Sequence, residues 1–435
     1  MPQRPFKLVS DRSPQGRSAS HRVLGTGRGA LPCEFSVQDR VPHGWVAAAW
    51  LNSRRRRASI GQGHPRNAMK VYALLALFCL VPLHAADAFE PEKTWVFAAG
   101  ILNWEDKKLG TWPDEGRVDQ VMIDALKKRG VKEDRIVFIK NAAATKEALV
   151  KKFNELLAKT AEGDTLLFYY AGHGGRDQNH DERTVTLLCY DSRPKRPESY
   201  WKVSEVFDSV DKHFKGSRVL LTADCCHSGA LADEAPKRSA RVSYGVLTSA
   251  HATSRSTGNW TFTQCLVDMF EGNPLLDLDN NGQVTFQEAA RYCEEEMSFC
   301  EQQLSCSATS GKWRSDTVMA QASGKKAARV GERCEGEEAG TWYKVKILDA
   351  KDGKLFVTWI GWERKYDCWI EPARLRPFKP TLYEGGTAVE VEWDGVWYKA
   401  KILHNRLGLH FVHYEGYPSA DDEWVPIKRI RLPKK

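Results

Sequence analysis

The chain has 435 residues, 42% of them hydrophobic and 28% charged, which suits about two to four domains with buried cores and excludes a disordered, collagenous or multi-span membrane protein. A formal charge of +8 would ordinarily raise nucleic acid or an anionic membrane as a partner. Residues 1–68, however, hold eleven Arg and one Lys against Asp11, Glu34 and Asp39, so that stretch carries +9 and the remainder −1; no nucleic-acid partner is expected.

Residues 1–68 show neither helical nor strand period and end near Arg54–Arg57, which reads as a disordered basic extension. Met69-Lys70, the apolar run 71–83 and Ala86-Asp87-Ala88 make residues 69–88 a secretory signal peptide. Its core of about thirteen residues is too short to span a bilayer, so no stable membrane span is expected once it is removed. The expected location is secreted or periplasmic. Met69 is read as the true start and 1–68 as a misassigned upstream extension, the alternatives being a genuine basic tail or an internal signal anchor. Without Cys33 and Cys79, nine cysteines remain, an odd number that leaves one thiol free if the others pair.

From Thr94 the elements alternate. Strands are expected at 95–99, 135–140, 165–171 and 218–223, and helices at 115–129, 145–159 and 202–213. Near-continuous apolar strands alternating with helices imply a parallel sheet covered on both faces, whose sites gather at the C-terminal ends of its strands. A Lys/Gly/Ser/Ala linker follows at 321–329. Beyond it Trp342-Tyr-Lys-Val-Lys-Ile-Leu348 returns 55 residues later as Trp397-Tyr-Lys-Ala-Lys-Ile-Leu403, and Asp367-Cys-Trp369 returns as Asp422-Glu-Trp424. Two ungapped copies predict two small β-barrels, 330–378 and 381–433, with turns at Asp352-Gly353 and Asp394-Gly395.

Two strand ends carry chemistry. One runs into Gly172-His173-Gly174-Gly175, the other into Asp224-Cys225-Cys226-His227-Ser228-Gly229. A thiol is mostly protonated at neutral pH, and a neighbouring imidazole can take its proton and return one to a leaving amine. His173 is thus the candidate base, Cys226 the candidate nucleophile and the Gly174 N–H a candidate oxyanion donor. These residues resemble the caspase/metacaspase superfamily of cysteine peptidases over roughly 92–320, with the metacaspase form of the Cys motif the nearer match. The resemblance implies an α/β fold with a mostly parallel caspase-like sheet, followed here by the two all-β, SH3-like barrels. It also implies an endopeptidase acting on proteins or peptides with Arg or Lys at P1, with Asp224 lining the P1 pocket and Cys225 inert. Asp119 is aligned loosely to a second acidic residue of that pocket, and Asp191 to an acidic strand-end position for which a structural role serves equally well. The alternative is a catalytically inert caspase-like scaffold whose barrels bind a protein partner.

Asp277-Leu-Asp279-Asn-Asn281-Gly282-Gln283-Val-Thr-Phe-Gln-Glu288 has the oxygen-donor spacing of an EF-hand calcium loop. Asp277, Asp279, Asn281 and Glu288 would bind through side chains and Gln283 through its carbonyl; Ca²⁺ would be structural, and the chemistry needs no cofactor. Cys334 and Cys368 lack counterparts in the second repeat and are expected to form a disulfide. The repeats resemble Tudor or chromo-barrel domains, which implies aromatic cages for an unidentified ligand; Trp342, Trp359, Trp362, Tyr366, Trp397, Tyr414 and Tyr417 are the candidate walls, with packing of the barrels as the plainer role.

Overall fold

The computed structural model describes residues 87–176, 184–194, 196–238 and 241–433. The expectations for 1–68 and for most of the signal segment 69–88 fall outside these residues.

In chain order the first region contains β1 (Thr94–Gly100), α1 (Val118–Lys128), β2 (Ile136–Lys140), α2 (Lys146–Lys159), β3 (Thr165–Ala171), β4 (Gly174–Arg176), β5 (Val185–Leu188), β6 (Tyr200–Lys202) and α3 (Val203–His213). It continues with β7 (Arg218–Asp224), α4 (Ala230–Glu234), β8 (Ser243–Thr248), α5 (Thr261–Glu271), β9 (Gln283–Thr285), α6 (Phe286–Glu296), β10 (Cys306–Thr309) and β11 (Val318–Gln321). Six strands form one sheet in the order β10-β8-β7-β3-β1-β2, parallel except for β10, which runs antiparallel to β8.

Side chains alternate across a strand, and this divides the core in two. Phe97, Phe168, Tyr170 and Leu221 face α2 and α3 through Leu149, Phe153, Val206 and Phe207. Val96, Leu167, Tyr169 and Leu220 face α1, α5 and α6 through Met122, Leu126, Leu266 and Tyr292. The sheet is therefore covered on both faces. Helix α1 begins three residues later than the periodicity predicts, because Gly116 has φ +70, outside the helical region; residues 101–117 instead loop over the strand ends.

The segment before β1 is built into this layer. Ala88 bridges Val318, Val318 N–H donates to the Asp87 carbonyl and Phe89 N–H to that of Val318, and the Phe89 ring packs on Phe270.

The first repeat folds as β12 (Arg333–Glu338), β13 (Thr341–Lys351), β14 (Lys354–Trp359), β15 (Cys368–Ile370) and β16 (Leu375–Pro377). The second folds as β17 (Ala388–Trp393), β18 (Val396–Arg406), β19 (Leu409–Tyr414), β20 (Glu423–Pro426) and β21 (Ile430–Arg431). Both sheets have one strand order, β15-β14-β13-β12-β16 and β20-β19-β18-β17-β21. At Asp352-Gly353 and Asp394-Gly395 both residues have positive φ, the two-residue hairpin geometry that matches strand twist. Ala339-Gly340 and Leu407-Gly408 do the same with sequences that signal it less strongly.

The nine cysteines of the described residues are all free, so the expected Cys334–Cys368 disulfide is not formed. Cys334 lies on β12 and Cys368 on β15, with β13 and β14 between them in the sheet.

Candidate active site

The register of β3 and β7 pairs Ala171 with Asp224, so His173 and Cys226 each stand two residues past the end of neighbouring parallel strands. Their backbones touch: a Cβ on Gly174 would lie 1.8 Å from the Cys226 carbonyl oxygen, so only glycine fits there. The bulk removed beside His173 makes room for the Cys226 turn itself.

Residues 101–117 fix the His173 ring. It lies between Trp104 and Trp112, with centroids 4.3 and 4.5 Å away, and its Nε2 is 2.6 Å from the Leu109 carbonyl oxygen. A carbonyl can only accept, so Nε2 carries the proton and donates it, leaving Nδ1 as the nitrogen able to hold a lone pair. The Tyr170 hydroxyl donates to the His173 carbonyl at 2.8 Å, fastening the backbone.

Cys226 is half-buried, and the Ser256 N–H donates to its Sγ at 3.2 Å. The turn is tight: His227 has φ +61, its N–H donates to the Ser254 carbonyl at 2.9 Å and its Nδ1–H to that of Ala252 at 2.9 Å. Burial holds His227 down to about 4, so it is a neutral anchor near pH 7. Burial also pushes the Cys225 thiol well above its usual range, which keeps it protonated. Gln303 braces the 249–257 loop from within, donating to the Ser249 carbonyl (2.8 Å) and Ser256 Oγ (3.0 Å) and accepting from Thr257 N–H (2.9 Å).

Asp224 borders a cavity of about 290 Å³ lined also by Trp112, Glu115, Gly116, Gly258 and Trp260. Thr263 Oγ1 donates to its carboxylate at 2.7 Å. Burial, only partly offset by the Thr263 and Ser249 hydroxyls, raises its carboxyl to about 6.

Asp119 is not among the cavity-lining residues. It is fully buried on α1 and accepts two hydrogen bonds from Arg117, at 3.0 and 2.6 Å, while the same guanidinium donates to the Gly100 carbonyl at 2.7 Å. Its charge is met inside the protein, and the second acid at the cavity is Glu115. Asp191 accepts the Lys146 N–H at 2.9 Å and so caps α2.

In the loop before α6, Asp277, Asp279 and Glu288 bring carboxylate oxygens within 4.8 Å of one another. Asp277 accepts the N–H groups of Asn281 and Gly282, each at 3.0 Å, and Glu288 accepts those of Leu278 (2.9 Å) and Thr285 (2.9 Å). Three hard carboxylates on a loop wound around its own N–H groups form a donor set suited to Ca²⁺.

The barrels sort the aromatic candidates by parity. On β13 the core takes Val345 and Ile347, so Tyr343 shares their face and Trp342 does not. Trp342 stacks instead on Arg376 at 4.1 Å and Trp397 on Arg431 at 3.9 Å, on the other side of the strand from the core. The aromatic cluster of the first barrel is Tyr343, Trp359, Trp362 and Tyr366, joined edge to face at 5.6–6.1 Å. Trp359 is its buried floor, while Trp362 and Tyr366 are exposed. In the second barrel Tyr398, Tyr414 and Tyr417 meet at 5.9–6.4 Å, and Tyr414 is fully buried with its hydroxyl donating to Glu423 at 2.6 Å. Tyr343 and Tyr398 were legible from the core parity but were masked by the tryptophans beside them.

Residues 108–235 match the family model described as the metacaspase, peptidase C14 domain. Residues 383–432 match the Tudor-knot, described as the RNA binding activity-knot of a chromodomain. Among solved structures, a protein from Geobacter sulfurreducens, GSU0716, aligns at 16% identity and TM-score 0.36 over 52% of this chain and 99% of its own. Caspase-1 from Spodoptera frugiperda aligns at 13% identity and TM-score 0.36 over 56% and 94%. The curated proteins returned no match. With this sheet order and these family matches, residues 108–235 belong to a caspase/metacaspase-like domain of the cysteine peptidase type, and residues 383–432 form a Tudor-like β-barrel at the C-terminal end.

Proposed function

We propose that the caspase-like domain is an active cysteine endopeptidase cleaving after Arg or Lys. The supporting observation is the strand-end pair: His173 with its ring oriented through Nε2 on the Leu109 carbonyl and Cys226 with its sulfur held by an N–H donor, beside a cavity bordered by Asp224. In the proposed reaction Cys226 passes its proton to His173 Nδ1 and the sulfur attacks the scissile carbonyl, the Gly174 N–H receiving the oxyanion. The C–N bond breaks as the imidazolium protonates the leaving amine. Water, deprotonated by the same imidazole, then hydrolyses the thioester and restores the thiol. Asp224 and Glu115 attract a basic P1 side chain, and the Trp112 and Trp260 faces suit a planar guanidinium. The inert-scaffold alternative gains nothing from a structure in which neither residue is replaced.

The full chain is expected to cleave peptides after Arg or Lys and not after Asp, with Cys226→Ala reducing turnover by about a thousandfold or more. Because Asp224 titrates near 6, its charge is present above that pH and lost below it. The kcat/KM for a P1-Arg peptide should therefore fall on the acid side of about 6, and Asp224→Asn should remove that limb along with most of the basic preference. Preference for an acidic P1 would refute the specificity assignment, and full turnover by Cys226→Ala the mechanism.

We also propose that Ca²⁺ binds at 277–288 and stabilises the fold, held by Asp277, Asp279, Asn281 and Glu288 with the Gln283 carbonyl. Ca²⁺ should raise the melting temperature of the chain, and Glu288→Ala should abolish the rise; calorimetry showing no shift in the wild type would dispose of the site.

The barrels are proposed to bind a protein ligand through the exposed edges of their aromatic clusters, targeting the peptidase. Residues 381–433 contain six Lys and Arg against eight Asp and Glu, a balance that disfavours a phosphate backbone. Fluorescence titration should register a methylated-lysine peptide, weakened by Trp362→Ala, and no salt-sensitive binding of an RNA oligonucleotide; saturable RNA binding would reverse this reading.

Export is proposed from the apolar run 71–83. Mass spectrometry of the mature chain should find an N-terminus near Phe89, and an intact Met1 start would exclude removal of the segment.

A further inference from the structure

We propose that Arg255 is a positioning residue for Cys226 and that the second barrel holds it, which makes that barrel a working part of the strand-end site; the catalytic consequence rests on the peptidase reading above. Residues 251–260 contain no helix or strand, so their backbone needs tethering. Arg255 lies between the two residues that grip the nucleophile turn: the Ser254 carbonyl accepts the His227 N–H and the Ser256 N–H donates to Cys226 Sγ. Gln303 ties the inner side of this loop.

The outer side is tied by the β17–β18 hairpin. The Arg255 guanidinium stacks over Trp393 at 4.4 Å and donates to both carboxylate oxygens of Asp394, at 3.2 and 3.4 Å. An exposed ion pair alone contributes little; a forked pair combined with an indole stack fixes the orientation of the guanidinium as well. Two further contacts flank the first. His251 packs against Trp424 at 6.3 Å. Arg176, three residues past His173, donates to the Ala420 carbonyl at 2.9 Å. The barrel thus meets both the segment that follows His173 and the loop that grips the Cys226 turn.

The repeats diverge where this docking requires it. Trp393 and Asp394 correspond, 55 residues earlier, to Glu338 and Ala339; the indole is missing there, and the Glu338 carboxylate is already paired with Arg374 at 2.6 Å. The grip therefore belongs to the second copy and not to the barrel fold in general.

The test uses the full chain and measures iodoacetamide alkylation of Cys226, mapped by peptide mass, beside turnover of a P1-Arg peptide. Arg255→Ala, and Trp393→Ala combined with Asp394→Asn (Asn tolerates the φ of +49 at that turn), should each slow alkylation and lower kcat by about tenfold, the weight of one hydrogen bond to a charged sulfur. KM should stay within about twofold. Unchanged alkylation and kcat in both variants would overturn the proposal. If melting curves show either variant unfolded, Arg255→Lys, which keeps the charge and loses the fork, decides: slowed alkylation sustains the proposal and a wild-type rate ends it. A wild-type chain that alkylates at Cys226 but cleaves no peptide defeats the peptidase reading alone, and the alkylation rates still decide the role of Arg255.

Discussion

The in-register parallel pairing of β3 with β7 is the constraint on which the site depends. Seven consecutive partners, Thr165 with Arg218 through Ala171 with Asp224, bring both strands to an end at one level. Whatever lies two residues further on each chain must then meet. A slip of one residue would turn the buried runs Leu-Leu-Phe-Tyr-Tyr and Val-Leu-Leu-Thr-Ala inside out with respect to the two helical layers. The packing that stabilises the domain thereby also fixes how His173 stands to Cys226, and the backbone of Gly174 lies so close to the Cys226 carbonyl that a side chain there would collide with it.

Around that pair burial keeps three titratable groups neutral. Burial holds His227 without a proton and holds the Tyr170 hydroxyl and Cys225 thiol with theirs. Arg117 meets the charge of Asp119 within the fold. Beside the cavity stand Glu115 and Asp224, the latter desolvated enough to titrate near 6 yet still ionised at neutral pH. In the proposed reaction these two carboxylates set the preference for a basic side chain.

How much of this was legible from the residues depended on whether the determinant was local. The sheet, both strand-end motifs and the repeat could be read because each is carried by contiguous residues with a strong period. The Leu109 carbonyl could not, since it is a backbone atom presented by an irregular loop 64 residues from its partner. Gln303 and Thr263 reach the site from other elements, with nothing in their own neighbourhood to single them out. Trp342 and Trp397 stand apart from the aromatic clusters for a different reason: the parity of β13 and β18, already set by Val345 and Ile347, places them on the other face of their strands. The Cys334–Cys368 pairing treated presence in one repeat as proximity, when β13 and β14 intervene.

The two barrels show that one fold used twice need not be used alike. Their inward faces match, Val345, Ile347 and Val357 answering to Ala400, Ile402 and Val412, because a small barrel tolerates little change inside. Their outward faces differ. In the first, Arg333 and Lys346 close on the buried carboxylate of Glu296 at 2.7 and 2.9 Å, and Lys344 caps the Phe299 carbonyl at 3.0 Å. That seats the barrel on the helix following the acidic loop. The second meets Arg255, His251 and Arg176 near the strand ends. Lys346 corresponds to Lys401 in the second copy, and Arg333 to Ala388, which carries no charge. The first copy's partnership with Glu296 is therefore unavailable to the second, just as the Trp393–Asp394 grip is unavailable to the first. Divergence at these outward positions distinguishes the two docking surfaces.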